Sequence, residues 1–174
     1  MPFIVITGTY RLCGGSAAQP SGFQPDGDSM EFKPNDPALL DRLTRVGRPC
    51  RLSSIGSTQL RFDGIDALEL HFGGIHQPRP LADEERDFLT GMLGMNPVAY
   101  EPPDYLTVKA PAARDGTPGY ILARSLEAHG RPVSFAYAGK PAAPDGSELE
   151  VTPDLLRESL NYRSLAGLGC RRQP

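Results

Sequence analysis

Apolar and polar residues trade places along this chain at two periods, and the boundaries between them are sharp. Phe3 to Leu12 (F-I-V-I-T-G-T-Y-R-L) is rich in β-branched and aromatic side chains and stops at Cys13-Gly14-Gly15, which predicts a first strand. Gly14 to Ser21 is small and polar, a loop. Met30 and Phe32 follow an Asp26-Gly27-Asp28 turn and predict a short second strand ended by Pro34. Asn35-Asp36-Pro37 is a helix start, with Asp36 as N-cap and Pro37 in the first turn. Leu39, Leu40 and Leu43 supply its apolar stripe, so a helix from Asp36 to Val46 is expected, ended by Gly47-Arg48-Pro49. Gln59 to Ile65 reads as the next strand. Pro80 to Leu93 has the best helical pattern: Leu81, Phe88, Leu89, Met92 and Leu93 share a face, and Gly94 stops it. Its acidic first half (Asp83, Glu84, Glu85, Asp87) suits the positive end of the helix dipole and predicts a solvated face. Tyr105–Lys109, Tyr120–Ser125 and Val133–Ala138 are three more expected strands. Thr152-Pro153-Asp154 opens a last helix over 153–167, with Leu155, Leu156 and Leu160 on its buried side.

Strands outnumber helices in this pattern and do not alternate with them, which excludes a βαβ array. A small closed or partly closed barrel with flanking helices is the simplest solution, because closure removes exposed sheet edges. The 174 residues suit a single domain spanning 1–174.

Composition changes this picture little. Hydrophobic content of 39% and charged content of 22% are slightly low for a globular chain but far from disordered. No apolar run approaches the roughly 20 residues needed to span a bilayer, so no membrane association is expected. Met1-Pro2-Phe3-Ile4-Val5-Ile6 lacks a basic region and a cleavage site, so no signal peptide is expected and a cytoplasmic location follows by default. The three cysteines, Cys13, Cys50 and Cys170, have no CxxC or Cys/His spacing and read as free thiols. A net charge of −3 argues against a general nucleic-acid coat. It leaves room for an enzyme that grips its substrate at one small cationic site.

Three islands carry the candidate chemistry: Asp26-Gly27-Asp28, Arg61 to Glu69 (R-F-D-G-I-D-A-L-E), and Gly130-Arg131. Carboxylates hold a hard divalent cation through oxygen, and arginine forks match phosphate oxygens two at a time. A metal beside a phosphate clamp is an arrangement for cleaving phosphodiesters. Taken singly, each island has a plainer reading: a hairpin turn at Asp28, a solvated loop at Asp66 and Glu69, a surface ion pair between Arg61 and Asp63. Gly27 is expected to use a positive φ to aim Asp28 inward. Arg61 and Asp66 are five apart, so an ideal strand would send them to opposite faces. A bulge or strand end at Gly64 would shift that parity.

The order and residue types of the three islands resemble the staphylococcal nuclease (thermonuclease) family, over about Gly22 to Gly169. The resemblance implies a five-stranded Greek-key OB-type barrel with flanking helices and a Ca²⁺-dependent nuclease that leaves 3′-phosphate ends on DNA or RNA. It implies that Asp28 and Asp66 ligate calcium through their carboxylates and Ala67 through its main-chain carbonyl. Glu69 corresponds to the family glutamate that orients or deprotonates the attacking water. Arg61 and Arg131 correspond to the arginines that grip the scissile phosphate and stabilise its growing charge. A single-stranded substrate is the implied partner.

There are departures from that pattern. Ala128 precedes His129-Gly130-Arg131 where many relatives carry lysine, and Leu68 replaces a usual proline. The sequence given ends at Gly169-Cys170-Arg171-Arg172-Gln173-Pro174, where relatives continue with tyrosines that pack on the nucleotide and a further helix. Exposed apolar surface is therefore expected at that end, covered by self-association or by the N-terminal strand. With the acidic balance, these departures support an alternative: an OB-fold nucleic-acid or protein-binding module that has lost its chemistry.

Overall fold

The structure is a computed structural model that describes residues 2–67, 70 and 78–171. Its strands are β1 (Phe3–Arg11), β2 (Cys13–Gly15), β3 (Pro20–Gly22), β4 (Glu31–Pro34), β5 (Thr44–Arg45), β6 (Thr58–Gln59), β7 (Arg61–Phe62), β8 (Thr117–Leu126), β9 (Pro132–Ala138) and β10 (Glu148–Leu149). Its helices are α1 (Arg79–Met92), α2 (Pro153–Glu158) and α3 (Leu160–Arg171), with a 3-10 turn at Pro37–Arg42. No helix among the described residues is long and apolar enough to cross a membrane.

One sheet runs β6-β4-β1-β8-β9-β7, with β10 added to β1 and β5 to β8. Its two ends are the same piece of chain. β6 and β7 are separated only by Leu60; β6 pairs antiparallel with β4, and β7 pairs parallel with β9. Backbone bonds from Leu60 to Met30 (2.9 Å), from Phe62 to Asp28 (2.9 Å) and from Asp63 to Ser134 (2.9 Å) fasten this stretch on both sides. The sheet thus curls into a nearly closed barrel, mainly β, with helices outside it.

Period-2 alternation sorts the side chains between two cores. Ile4, Ile6 and Tyr10 of β1 join Phe32, Phe62, Ile121 and Ala123 in the main core, while Phe3 and Val5 face the other way onto Tyr120, Leu122 and Tyr137. Burial on both faces is why β1 carries so few polar residues. The last helix is broken where a continuous one was expected. Ser159 is extended (ψ 149°), and its hydroxyl accepts from the Tyr162 amide (3.1 Å), capping α3 anew. Leu160 is buried as expected, but Leu155 and Leu156 are only partly so. Tyr162 and Leu165 on α3 are exposed.

Other expectations are corrected. Asp36 does cap its turn, accepting from Ala38 (3.0 Å), but the helix ends at Arg42, because Thr44 and Arg45 pair with Ser125 and Leu126 of β8. Tyr105–Lys109 forms no strand: Tyr105 sits at φ 56°, which a paired strand cannot accommodate, and only a Tyr100–Val108 bridge survives. On α1, Leu81 is exposed, and the buried set is Ala82, Glu85, Arg86, Leu89 and Thr90. The acidic face is therefore not wholly solvated, since Glu85 is packed inward. Arg86 beside it is compensated by Asp83 (2.9 Å), Asp87 (3.0 Å) and the face of Tyr100 (3.7 Å to the ring centre).

Candidate functional site

Asp26 and Ser29 exchange backbone bonds across a two-residue turn, Gly27-Asp28, that leads into β4. Asp26 fixes the turn from within: its carboxylate accepts from the amides of Gly27 (2.8 Å) and Leu70 (3.5 Å). Gly27 does not use a positive φ, contrary to expectation. Glycine is needed there for space: a Cβ would lie 2.7 Å from the Ala67 Cβ and 2.9 Å from the Glu85 Cβ. The turn is wedged between α1 and the segment after β7, and this wedge aims the buried Asp28 carboxylate at Arg61.

Arg61 lies in β7 beside Val133 of β9. The strand ends at Phe62, and Gly64 turns the chain with φ 75°, a conformation that favours glycine. The turn resolves the parity problem, because it brings Asp66 back onto the side of the sheet that Arg61 occupies. The Arg61 guanidinium joins Asp28 through Nη1 and Asp66 through Nη2 (2.8 Å). Asp28 also accepts from the Ala67 amide (3.4 Å). Burial differs across the trio: the Asp28 side chain is 7% exposed, that of Arg61 27% and that of Asp66 84%. A carboxylate as buried as Asp28 needs a positive partner to stay ionised at low cost.

Arg131 closes the group from the third side. It precedes β9 on the turn 127–131, where Gly130 adopts φ 92°. Its Nε and its amide both reach Glu127 Oε1 (3.3 and 3.1 Å). Burial alone would push the Glu127 carboxyl up, but the amides of Arg131 and His129 and the Arg131 guanidinium outweigh it and hold the acid below its ordinary range. Arg131 and Glu127 thus form a charged pair at the mouth.

Asp28, Arg61 and Arg131 line one cleft of about 280 Å³ with Gln24, Asp26, Ser29 and Gln59. The two glutamines and Ser29 were missed in the sequence. Gln59 was accessible to reasoning, since it lies two residues before Arg61 and period 2 puts both on one face. Its amide donates to the Ser29 hydroxyl (3.1 Å). Glu69, Leu68 and the histidines His71 and His76 lie outside the described residues. Among the described residues, no group of three or more His, Cys, Asp or Glu is arranged to hold a metal ion. Cys13 is buried and Cys50 partly buried, both free thiols, and burial raises both above the ordinary thiol range. The chain matches no protein-family model, no curated protein and no solved structure.

Proposed function

We propose that the protein is a calcium-dependent nuclease of the staphylococcal nuclease type, hydrolysing phosphodiester bonds of single-stranded DNA or RNA on a five-stranded Greek-key OB-type barrel. The ring supports the fold assignment: β1, β4, the β6–β7 stretch, β9 and β8 make five strands, neighbours pairing antiparallel except where β7 meets β9. One observation carries the functional reading. Asp28, Arg61 and Arg131, from three separate stretches of chain, meet in one cleft, and Asp66 reaches the same guanidinium as Asp28.

Two carboxylates of different burial that converge on one positive group form a donor set suited to a hard cation. Asp28 and Asp66 would hold Ca²⁺, with the Ala67 carbonyl as a further oxygen donor. When bound, the ion supplies Lewis-acid stabilisation of phosphoryl charge. Arg61 and Arg131 bind and orient the scissile phosphate; a phosphate in the cleft competes with Asp66 and Glu127 for their forks. In the family role it resembles, Glu69 holds or takes the proton of the attacking water. The product then carries the 3′-phosphate.

The competing reading, an inactive OB-type binding module, draws on the same ion pairs: each arginine of the cleft is already neutralised by a carboxylate within the protein. Incubating single-stranded DNA and RNA with the protein in Ca²⁺ or EGTA separates the two. Cleavage in Ca²⁺ that EGTA stops is the expected result, and intact substrates across pH 7 to 10 would favour the binding module. Calcium has its own readout. It should raise the melting temperature of the wild type and not that of Asp28→Ala, because a ligand of the native state stabilises that state. An equal rise in both would remove Asp28 from the metal site.

A further inference from the structure

The segment Thr44–Arg51 (T-R-V-G-R-P-C-R) carries three arginines and no carboxylate in a chain whose net charge is −3. It is held against the turn that presents Arg131 by three separate devices. Thr44 and Arg45 pair with Ser125 and Leu126 at the end of β8, just before that turn. The Arg48 amide then donates to the Ala128 carbonyl (3.2 Å). Finally, the backbones press together without room for side chains. A Cβ on Gly47 would lie 2.5 Å from the Ala128 carbonyl oxygen, and one on Gly130 would lie 2.4 Å from the Pro49 carbonyl oxygen.

Of the three arginines, Arg45 is engaged by Asp41 (3.3 Å). Arg48 and Arg51 are exposed, and among the described residues neither guanidinium has an ion-pair or hydrogen-bond partner. Unpaired guanidiniums on a backbone held against the Arg131 turn contrast with Arg61 and Arg131, which are both neutralised within the protein. Val46 (75% exposed) and Leu52 (43% exposed) flank them with open apolar surface.

We infer that residues 44–51 form a cationic arm that tracks the backbone of a single-stranded nucleic acid beyond the cleft, with Arg48 and Arg51 each neutralising one phosphate. The inference rests on the nuclease reading above and supplies what the acidic composition withholds: a local positive path for a polyanion, with apolar side chains on which bases can rest.

Binding of a labelled oligothymidylate, followed by fluorescence anisotropy in EGTA over a salt series, tests it. Each phosphate contact on a single strand contributes about 0.7 to the slope of log affinity against log salt, so Arg48→Ala/Arg51→Ala should flatten the slope by about 1.4. Between about 50 and 200 mM salt, the variant should then lose roughly sevenfold less affinity than the wild type. Arg48→Lys/Arg51→Lys keeps the charges and should restore the slope. An alanine variant with the wild-type slope overturns the arm, as does a flattened slope that lysine fails to restore and a lowered melting temperature accompanies. Wild-type protein that neither binds the oligonucleotide nor cleaves it in Ca²⁺ removes the nuclease reading itself.

Discussion

Asn161 tests whether the barrel closure positions the cleft. It is 1% exposed on α3 and serves the seam where β7 meets β9. Its Oδ1 accepts from the Ala136 amide (2.9 Å), and its Nδ2 donates to the carbonyls of Asp63 (2.9 Å) and Ser134 (2.9 Å). Asn161→Leu keeps similar volume and removes all three bonds. The Ser134 carbonyl retains the Asp63 amide, so two groups lose their partner, the Ala136 amide and the Asp63 carbonyl. A buried orphan costs about 1–3 kcal/mol, which gives about 2–6 kcal/mol in total, with the low end set by the partial exposure of Asp63. At this chain length, each kcal/mol moves the melting temperature by about 2–4 °C, so a fall of at least about 4 °C is expected. Calorimetry reads the temperature and urea titration reads the free energy. Because Arg61 is two residues from Asp63, the folded variant should also lose turnover on single-stranded DNA. A melting temperature within about 1 °C of wild type would refute the argument, since it would mean that water or a backbone shift satisfies the seam without Asn161.

Four further outcomes are expected. Gly27→Ala should destabilise by about 1–3 kcal/mol through crowding against Ala67 and Glu85, and Ala67→Gly should recover part of the loss; a neutral Gly27→Ala would show that the wedge is loose. Burial raises the Glu31 carboxyl above its ordinary value of 4.5, and the Ser57 hydroxyl only partly offsets this. The acid's contribution is therefore full below that value and lost as pH rises through the raised one. Glu31→Gln should melt higher than wild type at pH 7 and match it near pH 4, and equal melting at both would contradict the shift. Arg131→Lys keeps the charge without the planar fork, so single-stranded DNA should stay bound while turnover falls about 10²-fold. Glu69→Gln should do likewise, and undiminished cleavage by it would show that another group handles the water's proton.

The long strands were legible because β-branched, aromatic and other apolar residues are concentrated in them. β1, β8 and β9 emerge within two or three residues of their expected ends. The short elements were not. A six-residue turn with a good cap looks like a helix in sequence, and only the pairing of Thr44 and Arg45 with β8 cuts it off. For the cleft, Asp28, Arg61, Asp66 and Arg131 were named from residue order and do come together. What escaped was everything that depends on another part of the fold. Glu85 looked like one more acidic surface residue, and its burial follows from the turn at Gly27. Asn161 looked like an ordinary polar position, and its role appears only once two distant strands lie side by side. Gly27 was rightly singled out for the wrong reason, because crowding by a neighbour leaves no local mark.

The seam at residues 58–63 also constrains when this cleft can exist. Its walls come from residues between 24 and 29, from Gln59 and Arg61, and from Arg131, and Asn161, well downstream of all of them, pins the seam. Such contacts join residues far apart in sequence, and chains dominated by them pay loop-closure entropy before they gain any pairing, so they fold slowly. A nascent chain still lacking Asn161 would carry every cleft residue, with the seam held by its backbone bonds alone. Activity should therefore appear late in synthesis, as one event with folding, and mixing separated halves should yield function only if β7 and β9 find each other again.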